Sequence, residues 1–176
     1  FKSILQKFNK KNINITFIGM PGTGKSTIAS YISKKYNYKL IELDEYIEQK
    51  NNMNLFELIN KYGDEGFNII EETACLSIPY HNNKMVISTG GSVINSNKSM
   101  KYMNNSNNII IYLKTDFNTL KKRTNNFTNR GIVFNNMTPL ELYNSRDILY
   151  TKYSDLIIDT NNKSIDFISN MLRFIF

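Results

Sequence analysis

Short, nearly all-apolar runs recur along the chain: Ile13–Ile18, Lys39–Leu43, Lys84–Ser88, Asn108–Leu113 and Asp155–Ile158. Runs this short, rich in Ile and Val, read as buried strands. The stretches between them change rhythm. Apolar residues at Ile28, Ala29, Tyr31 and Ile32 have helical spacing. The second strand ends at Asp44, where a helix starts with acids in its first turn, as the helix dipole favours. Asn54-Leu55-Phe56-Glu57 reads as a capping box opening another helix. Gly63 breaks that helix, and a longer one runs from Asp64 to Ile78, ended by Pro79. Further helices are predicted from about Asn95 to Met103, over Asp116–Arg123, over Thr138–Tyr150 and over residues 163–175. Thr138 caps the third of these, with Pro139 in its first position and Glu141 in its third. Residues 124–137 are polar and irregular. Residues 1–12 carry Ile4, Leu5 and Phe8 among lysines and suit a short amphipathic helix or an ordered arm.

Strands alternating with helices predict βαβ units and a parallel sheet. Nearly all-apolar strands fit a sheet covered on both faces. The expected fold class is therefore α/β, a three-layer sandwich with a five-stranded parallel sheet, forming one domain over residues 1–176. Such sheets bind ligands beyond the carboxyl ends of their strands. The turn after the first strand, Asp44 after the second and Gly90-Gly91 after the third should face one crevice.

The turn after the first strand supplies the chemistry. Gly19-Met20-Pro21-Gly22-Thr23-Gly24-Lys25-Ser26, followed by Thr27, is a complete glycine-rich phosphate loop, with a strand before it and a helix behind. Its glycines let backbone N–H groups turn inward around a polyphosphate, and the helix N-terminus adds positive potential. Lys25 is placed to reach the β- and γ-phosphates, and the Ser26 hydroxyl to bind Mg²⁺.

Composition narrows the setting. The 176 residues are 41% hydrophobic and 21% charged, an ordinary globular balance. One cysteine, Cys75, excludes an internal disulfide framework and fits a reducing compartment. With His81 the single histidine, a metal centre of Cys and His and a Cys–His nucleophile pair are both disfavoured; Cys75 lies in an apolar helical run and reads as packing. The net charge of +7 is spread over scattered lysines without an aromatic-interleaved stripe. It reads as a solvated surface that attracts a nucleotide and an anionic substrate, not as a nucleic-acid face. No apolar run approaches the ~20 residues of a membrane helix, and no secretory signal is visible. We expect a monomer that binds neither nucleic acid nor membrane, in the cytoplasm, or in an organelle if a targeting segment has been removed. The chain opens at Phe1, which leaves a longer polypeptide open.

A phosphate loop alone specifies only nucleotide binding. A switch-type GTPase would want an Asn-Lys-x-Asp run, which is absent; a mechanical ATPase would want a larger body. A small-molecule kinase needs an acceptor pocket, a base near the acceptor hydroxyl and mobile cations over the phosphates, and the chain offers candidates for each.

The set Gly19–Ser26, Glu42-Leu43-Asp44, Gly63-Asp64-Glu65-Gly66-Phe67, Thr89-Gly90-Gly91-Ser92-Val93, Arg130 in a polar loop, and Arg146 ahead of Leu149-Tyr150 resembles the shikimate kinase family over most of the chain. The resemblance implies a sheet of the nucleoside-monophosphate-kinase type, an acceptor subdomain at about 44–73 and a lid at about 124–136. It implies ATP with Mg²⁺ and transfer to a hydroxyl of a small hydroxy acid, first of all shikimate. Asp44 then accepts or orients the acceptor hydroxyl; the competing expectation for Asp44 is a helix N-cap. Glu42 stands where the family has an aspartate near Mg²⁺. Gly90-Gly91 match glycines that let the substrate approach backbone N–H groups, and Thr89 replaces the first of that triplet. Arg130 matches the lid arginine over the phosphates, Arg123 a basic residue near the nucleotide, and Arg146 the arginine that grips the substrate carboxylate. Asn68 stands where the family has a second carboxylate-binding arginine, and Gly131 where the lid has a proline. These changes cluster on the acceptor side and leave two other readings open. One is a homoserine-type acceptor, its carboxylate on Arg146 and its amine on Glu71. The other is a non-catalytic nucleotide-binding domain of a longer polypeptide.

Overall fold

The computed structural model describes residues 7, 13–81, 84–105, 107–124 and 132–176. Arg130, Gly131 and all of the N-terminal arm except Lys7 lie outside them. In chain order the elements are β1 (Asn14–Ile18), α1 (Lys25–Tyr36), β2 (Lys39–Glu42), α2 (Leu43–Asn51), α3 (Leu55–Leu76), β3 (Met85–Ser88), α4 (Asn97–Met103), β4 (Asn108–Lys114), α5 (Phe117–Arg123), α6 (Pro139–Tyr153), β5 (Leu156–Asp159) and α7 (Ile165–Met171).

All five strands are parallel, in the order β2-β3-β1-β4-β5. Because side chains alternate across a strand, each central strand feeds two cores. From β4, Ile109, Ile111 and Leu113 join Ile28, Ile32, Ile168 and Leu172 on the α1/α7 face. Ile110 and Tyr112 point the other way, toward Leu43, Ile47, Phe67 and Tyr150 on the face covered by α2, α3 and α6. Helices thus cover both faces, as the strand pattern predicted. Cys75 is a buried member of this second core.

Several local signals operate as read. Asn54 and Glu57 form a reciprocal capping box at the start of α3, and Thr138 and Glu141 form another at α6 behind Pro139. Gly63 takes φ 69° and ψ 177° inside α3 and kinks it, a backbone that L side chains avoid. Among the boundaries that differ from expectation, three have a clear local cause. β2 stops at Glu42 and α2 begins at Leu43, so Glu42, in extended conformation, is the N-cap residue and Asp44 sits inside the first turn. The Asp44 carboxylate is therefore not consumed as a cap. The helix expected from Asn95 starts later, at Asn97, because the Ser96 side chain accepts from Ser99 N and caps it, after a 3₁₀ turn over Val93–Asn95. The C-terminal helix breaks after Met171 into a 3₁₀ turn, Arg173–Ile175.

Two polar ties fix the amino ends of the strands, opposite the crevice. Lys7 Nζ lies 2.8 Å from Asp155 Oδ2 and donates to Asn104 Oδ1 at 2.9 Å, while Asp155 Oδ2 also accepts from Ile110 N. Buried Asn14 donates to Tyr80 O at 2.9 Å and accepts from Met85 N at 3.0 Å, tying β1 to the start of β3. Asn14→Ala removes the acceptor of Met85 N in the interior and leaves Tyr80 O with the longer bond from Asn107 Nδ2 at 3.3 Å, which costs about 1–3 kcal/mol. Urea unfolding should show that loss with an unchanged m value; a stability within about 0.5 kcal/mol of wild type would contradict it.

Candidate active site

The carboxyl ends of β1, β2 and β3 open onto a cavity of about 850 Å³, walled on one side by the phosphate loop and on the other by Asp44, Glu71 and Gly90-Gly91. The loop keeps its shape through its own bonds. Gly24 is the N-cap of α1 at φ 90°, a left-handed conformation that favours glycine. Thr23 is buried and donates from Oγ1 to Met20 O at 2.9 Å. Lys25 Nζ donates to Gly19 O at 2.8 Å and to Met20 O at 3.1 Å. Arg123, at the end of α5, reaches Gly22 O at 3.5 Å. Ser26 Oγ sits 3.2 Å from Ser88 Oγ at the carboxyl end of β3. Gly22, Gly24, Lys25, Ser26, Thr27 and Arg123 all face the cavity, whereas Thr23 supports the loop from behind.

On the opposite wall two buried carboxyls converge. Asp44 Oδ1 and Glu71 Oε1 are both sealed from solvent with no hydrogen-bond partner among the described residues. A Cβ built on Gly90 would run into Glu71 Oε1 and lie 2.9 Å from Asp44 Oδ1, so the space that glycine leaves is what lets the two carboxyls meet. Burial drives the electrostatics. It pushes the Asp44 carboxyl above the ordinary aspartate value, against the pull of Lys25 and with a push from Glu42, Glu48 and Glu45. It pushes Glu71 up to about 7, Asp44 adding to the rise while the Ser92 hydroxyl and Arg146 oppose it. The Lys25 ammonium falls to about 8 for the same reason, chiefly opposed by Asp44.

The remaining expected residues divide. Gly91 is set by Tyr150, whose hydroxyl donates to Gly91 O at 2.6 Å and whose ring stacks on Tyr112. Arg146 is buried behind Gly91; its Nη2 donates to Val133 O at 2.7 Å and its Nε has no partner among the described residues. Asn68 does not reach the cavity wall and instead accepts from Asn95 Nδ2 at 3.5 Å on the surface. Glu42 also lies off that wall, because it ends the edge strand, but its charge is felt by Lys25 and Asp44. Arg130 lies outside the described residues. The Thr89 hydroxyl turns back to Phe17 O at 2.9 Å, so a side chain in place of glycine there braces β1 without closing the site.

Sequence reasoning missed Glu48 and the apolar patch of Leu55 and Phe56 that faces the cavity. Glu48 follows Asp44 by one helical turn, a spacing that places both on one face of α2. Its Oε1 accepts from Leu55 N at 2.9 Å and fixes the turn between α2 and α3. Phe56 is 51% exposed at the cavity rim.

The donor set suits a magnesium–nucleotide complex. Among the described residues no cluster of three or more His, Cys, Asp or Glu could hold a metal by itself. A cation here would take the Ser26 hydroxyl, with Glu42 or the orphaned Asp44 oxygen at most beside it, and fill its shell with phosphate oxygens and water, as Mg²⁺ does.

The family model for shikimate kinase matches residues 21–175. The chain belongs to the shikimate kinase family. It is 34% identical over 154 residues to the shikimate kinases of Staphylococcus aureus strains MSSA476 and JH9, with 86% of this chain and 86% of each relative covered. The shikimate kinase of Acinetobacter baumannii, solved in complex with shikimate, superposes with a TM-score of 0.82 at 23% identity, over 96% of this chain and 94% of that one. The Aquifex aeolicus enzyme gives 0.74 at 20% identity, over 92% and 94%. Deoxyadenosine kinase of M. mycoides, with bound dATP, shares the fold more distantly, at 0.56 and 18% identity over 92% of this chain and all of that one (100%). As a family member the chain is a kinase, with the expected five-stranded parallel architecture. No helix of the described residues is long and apolar enough to cross a membrane.

Glu71 gives this kinase a signature in its stability. The folded chain holds the Glu71 proton up to about 7, whereas an unfolded chain releases it near 4.5. Between those values the folded state binds more protons, so stability falls as pH rises and stays lower above about 7. Gln cannot ionise. Chemical denaturation between about pH 5 and about pH 8 should cost wild type on the order of 2 kcal/mol more than Glu71→Gln; parallel curves for the two proteins would contradict the assignment.

Proposed function

We propose that this protein transfers the γ-phosphoryl group of ATP to a hydroxyl of shikimate, giving shikimate 3-phosphate and ADP. The observation that carries the proposal is that Asp44 and the phosphate loop face each other across one cavity, in a chain of the shikimate kinase family. The loop N–H groups, the α1 N-terminus and Lys25 hold the phosphates. Ser26 holds Mg²⁺, with Glu42 acting through water; the ion, when bound, neutralises charge on the β- and γ-oxygens. Asp44 takes the hydrogen bond of the acceptor hydroxyl and aligns its oxygen with the γ-phosphorus. As the new P–O bond forms and the bond to the ADP oxygen breaks, the hydroxyl proton passes to Asp44. Burial of Asp44 raises its proton affinity and favours that transfer.

We assign α2 and most of α3, about residues 44–73, to the acceptor side, with Phe67 and Leu55 as its apolar wall against the carbon ring. Arg146 holds the substrate carboxylate from behind Gly91, and the segment at about 124–136 is the lid whose Arg130 covers the phosphates. Arg123 steadies the loop on the nucleotide side. The family relationship favours shikimate over a homoserine-type acceptor. Lys25, Ser26 and Asp44, all in place on the cavity, argue against a non-catalytic nucleotide-binding domain. The support for shikimate as ligand is that the A. baumannii protein was solved with it.

A coupled assay of ADP release tests the reading. Wild type should release ADP in a shikimate-dependent manner and form a phosphate monoester visible by ³¹P NMR. Lys25→Met should lower kcat on the order of 10³-fold. Asp44→Asn should lower kcat by roughly 10²–10⁴-fold while leaving the KM for ATP unchanged. Turnover by Asp44→Asn near the wild-type rate would refute the role of that carboxylate.

A further inference from the structure

We propose that Ser88 is a positioning residue for the metal of the kinase reaction: its buried hydroxyl oxygen accepts the hydrogen bond of the Ser26 hydroxyl and so leaves a Ser26 lone pair turned toward Mg²⁺. The inference rests on the kinase reading above and adds to it an outer partner for the residue that holds the ion.

Ser88 closes β3 after Met85, Val86 and Ile87, all buried apolar residues, and is itself 3% exposed. A buried hydroxyl needs a partner. Short hydroxyl side chains often find one in a backbone carbonyl close by, as Thr89 does with Phe17 O. Ser88 does not. Its one hydrogen-bond partner among the described residues is Ser26 Oγ, 3.2 Å away at the start of α1. The alternation of side chains along the strand explains the direction. Val86 packs on the α1/α7 side, so Ser88, next but one, points to that side too. Glu42 is the register partner of Ser88 on β2, where Leu40 likewise packs toward α1 and α7. Ser88 and Glu42 therefore share the face that α1 covers. Ser26 lines the cavity and Ser88 does not. A cation in the cavity meets Ser26 directly and Ser88 only through it.

A hydroxyl binds a cation through a lone pair, and its O–H must then point away from the ion. Coordination withdraws electrons from the oxygen and makes that O–H a better donor. An acceptor behind the ligand fixes its rotamer and raises its basicity, which is what outer partners do at metal sites. Ser88 Oγ stands behind Ser26 in this sense. Mg²⁺ demands near-ideal octahedral geometry, so a Ser26 hydroxyl left free to rotate makes a poorer ligand. The chain has few other means of setting the ion. No cluster of three or more His, Cys, Asp or Glu among the described residues could hold it. The orientation of one hydroxyl then carries much of what the protein itself contributes.

Binding, without turnover, tests the role. Calorimetric titrations with ADP are run in excess Mg²⁺ and again in EDTA, on wild type, Ser88→Ala and Ser88→Thr. The ratio of the two affinities measures what the metal contributes. Ser88→Ala should lower that ratio on the order of tenfold while binding ADP in EDTA as wild type does. Ser88→Thr keeps a hydroxyl at the strand end and should recover most of the ratio. An unchanged ratio in Ser88→Ala would overturn the proposal. So would a loss of equal size in EDTA, since Ser88 would then brace the phosphate loop and not the ion. A wild-type protein whose ADP affinity ignores Mg²⁺ would instead overturn the kinase reading's placement of the metal, which separates the two failures.

Discussion

A buried ammonium and two buried carboxyls face one another across the space where a polyphosphate must sit, and most of the molecule's design follows from holding them there. Each alone would be expensive in a low-dielectric interior. Together they moderate one another: Asp44 supports the charge of Lys25, and Lys25 limits the rise of Asp44. Such a cluster is tolerable only if its members are fixed at short range, and secondary structure does the fixing. Lys25 opens α1, Asp44 lies in the first turn of α2, Glu71 lies past the kink in α3, and Gly90 follows β3.

The parallel sheet makes this convergence unavoidable. β1 lies at the centre of the order β2-β3-β1-β4-β5, with β3 on one side and β2 just beyond it. All their carboxyl ends point one way, so the phosphate loop, the Gly90-Gly91 turn and the start of α2 emerge side by side. The hydrogen bond from Thr89 to Phe17 O and the Ser26–Ser88 contact stitch the turns together. Glu48 then ties α2 to the start of α3 through Leu55 N, and Gly63 redirects α3 so that Phe67 and Glu71 return to the crevice. The geometry of the crevice is thus a by-product of strand order, refined by a few side-chain-to-backbone bonds.

How much of this was readable without coordinates varied with the range of the interaction concerned. The phosphate loop, both capping boxes and the Gly63 break are encoded within a few residues, and they were read from those residues alone. The Asp44 carboxylate was also found, but its competing role as a helix cap fell only when α2 proved to begin one residue earlier, at Leu43. Asn68 shows the opposite failure. Its place in a motif suggested a substrate contact, yet its side chain turns outward to Asn95, a partner twenty-seven positions away that no local pattern signals. The meeting of Asp44 and Glu71 over Gly90 was equally hidden, since it joins three elements and depends on a missing Cβ. Thr89 looked like damage to the acceptor site; in space its hydroxyl braces the neighbouring strand.

A crystal structure with a non-hydrolysable ATP analogue, Mg²⁺ and shikimate would test the central claim most directly. The account predicts the terminal phosphate against Lys25 and the accepting hydroxyl between that phosphate and the Asp44 carboxylate, all within the one cavity. Shikimate bound elsewhere, or an Asp44 side chain turned away from Lys25, would contradict it.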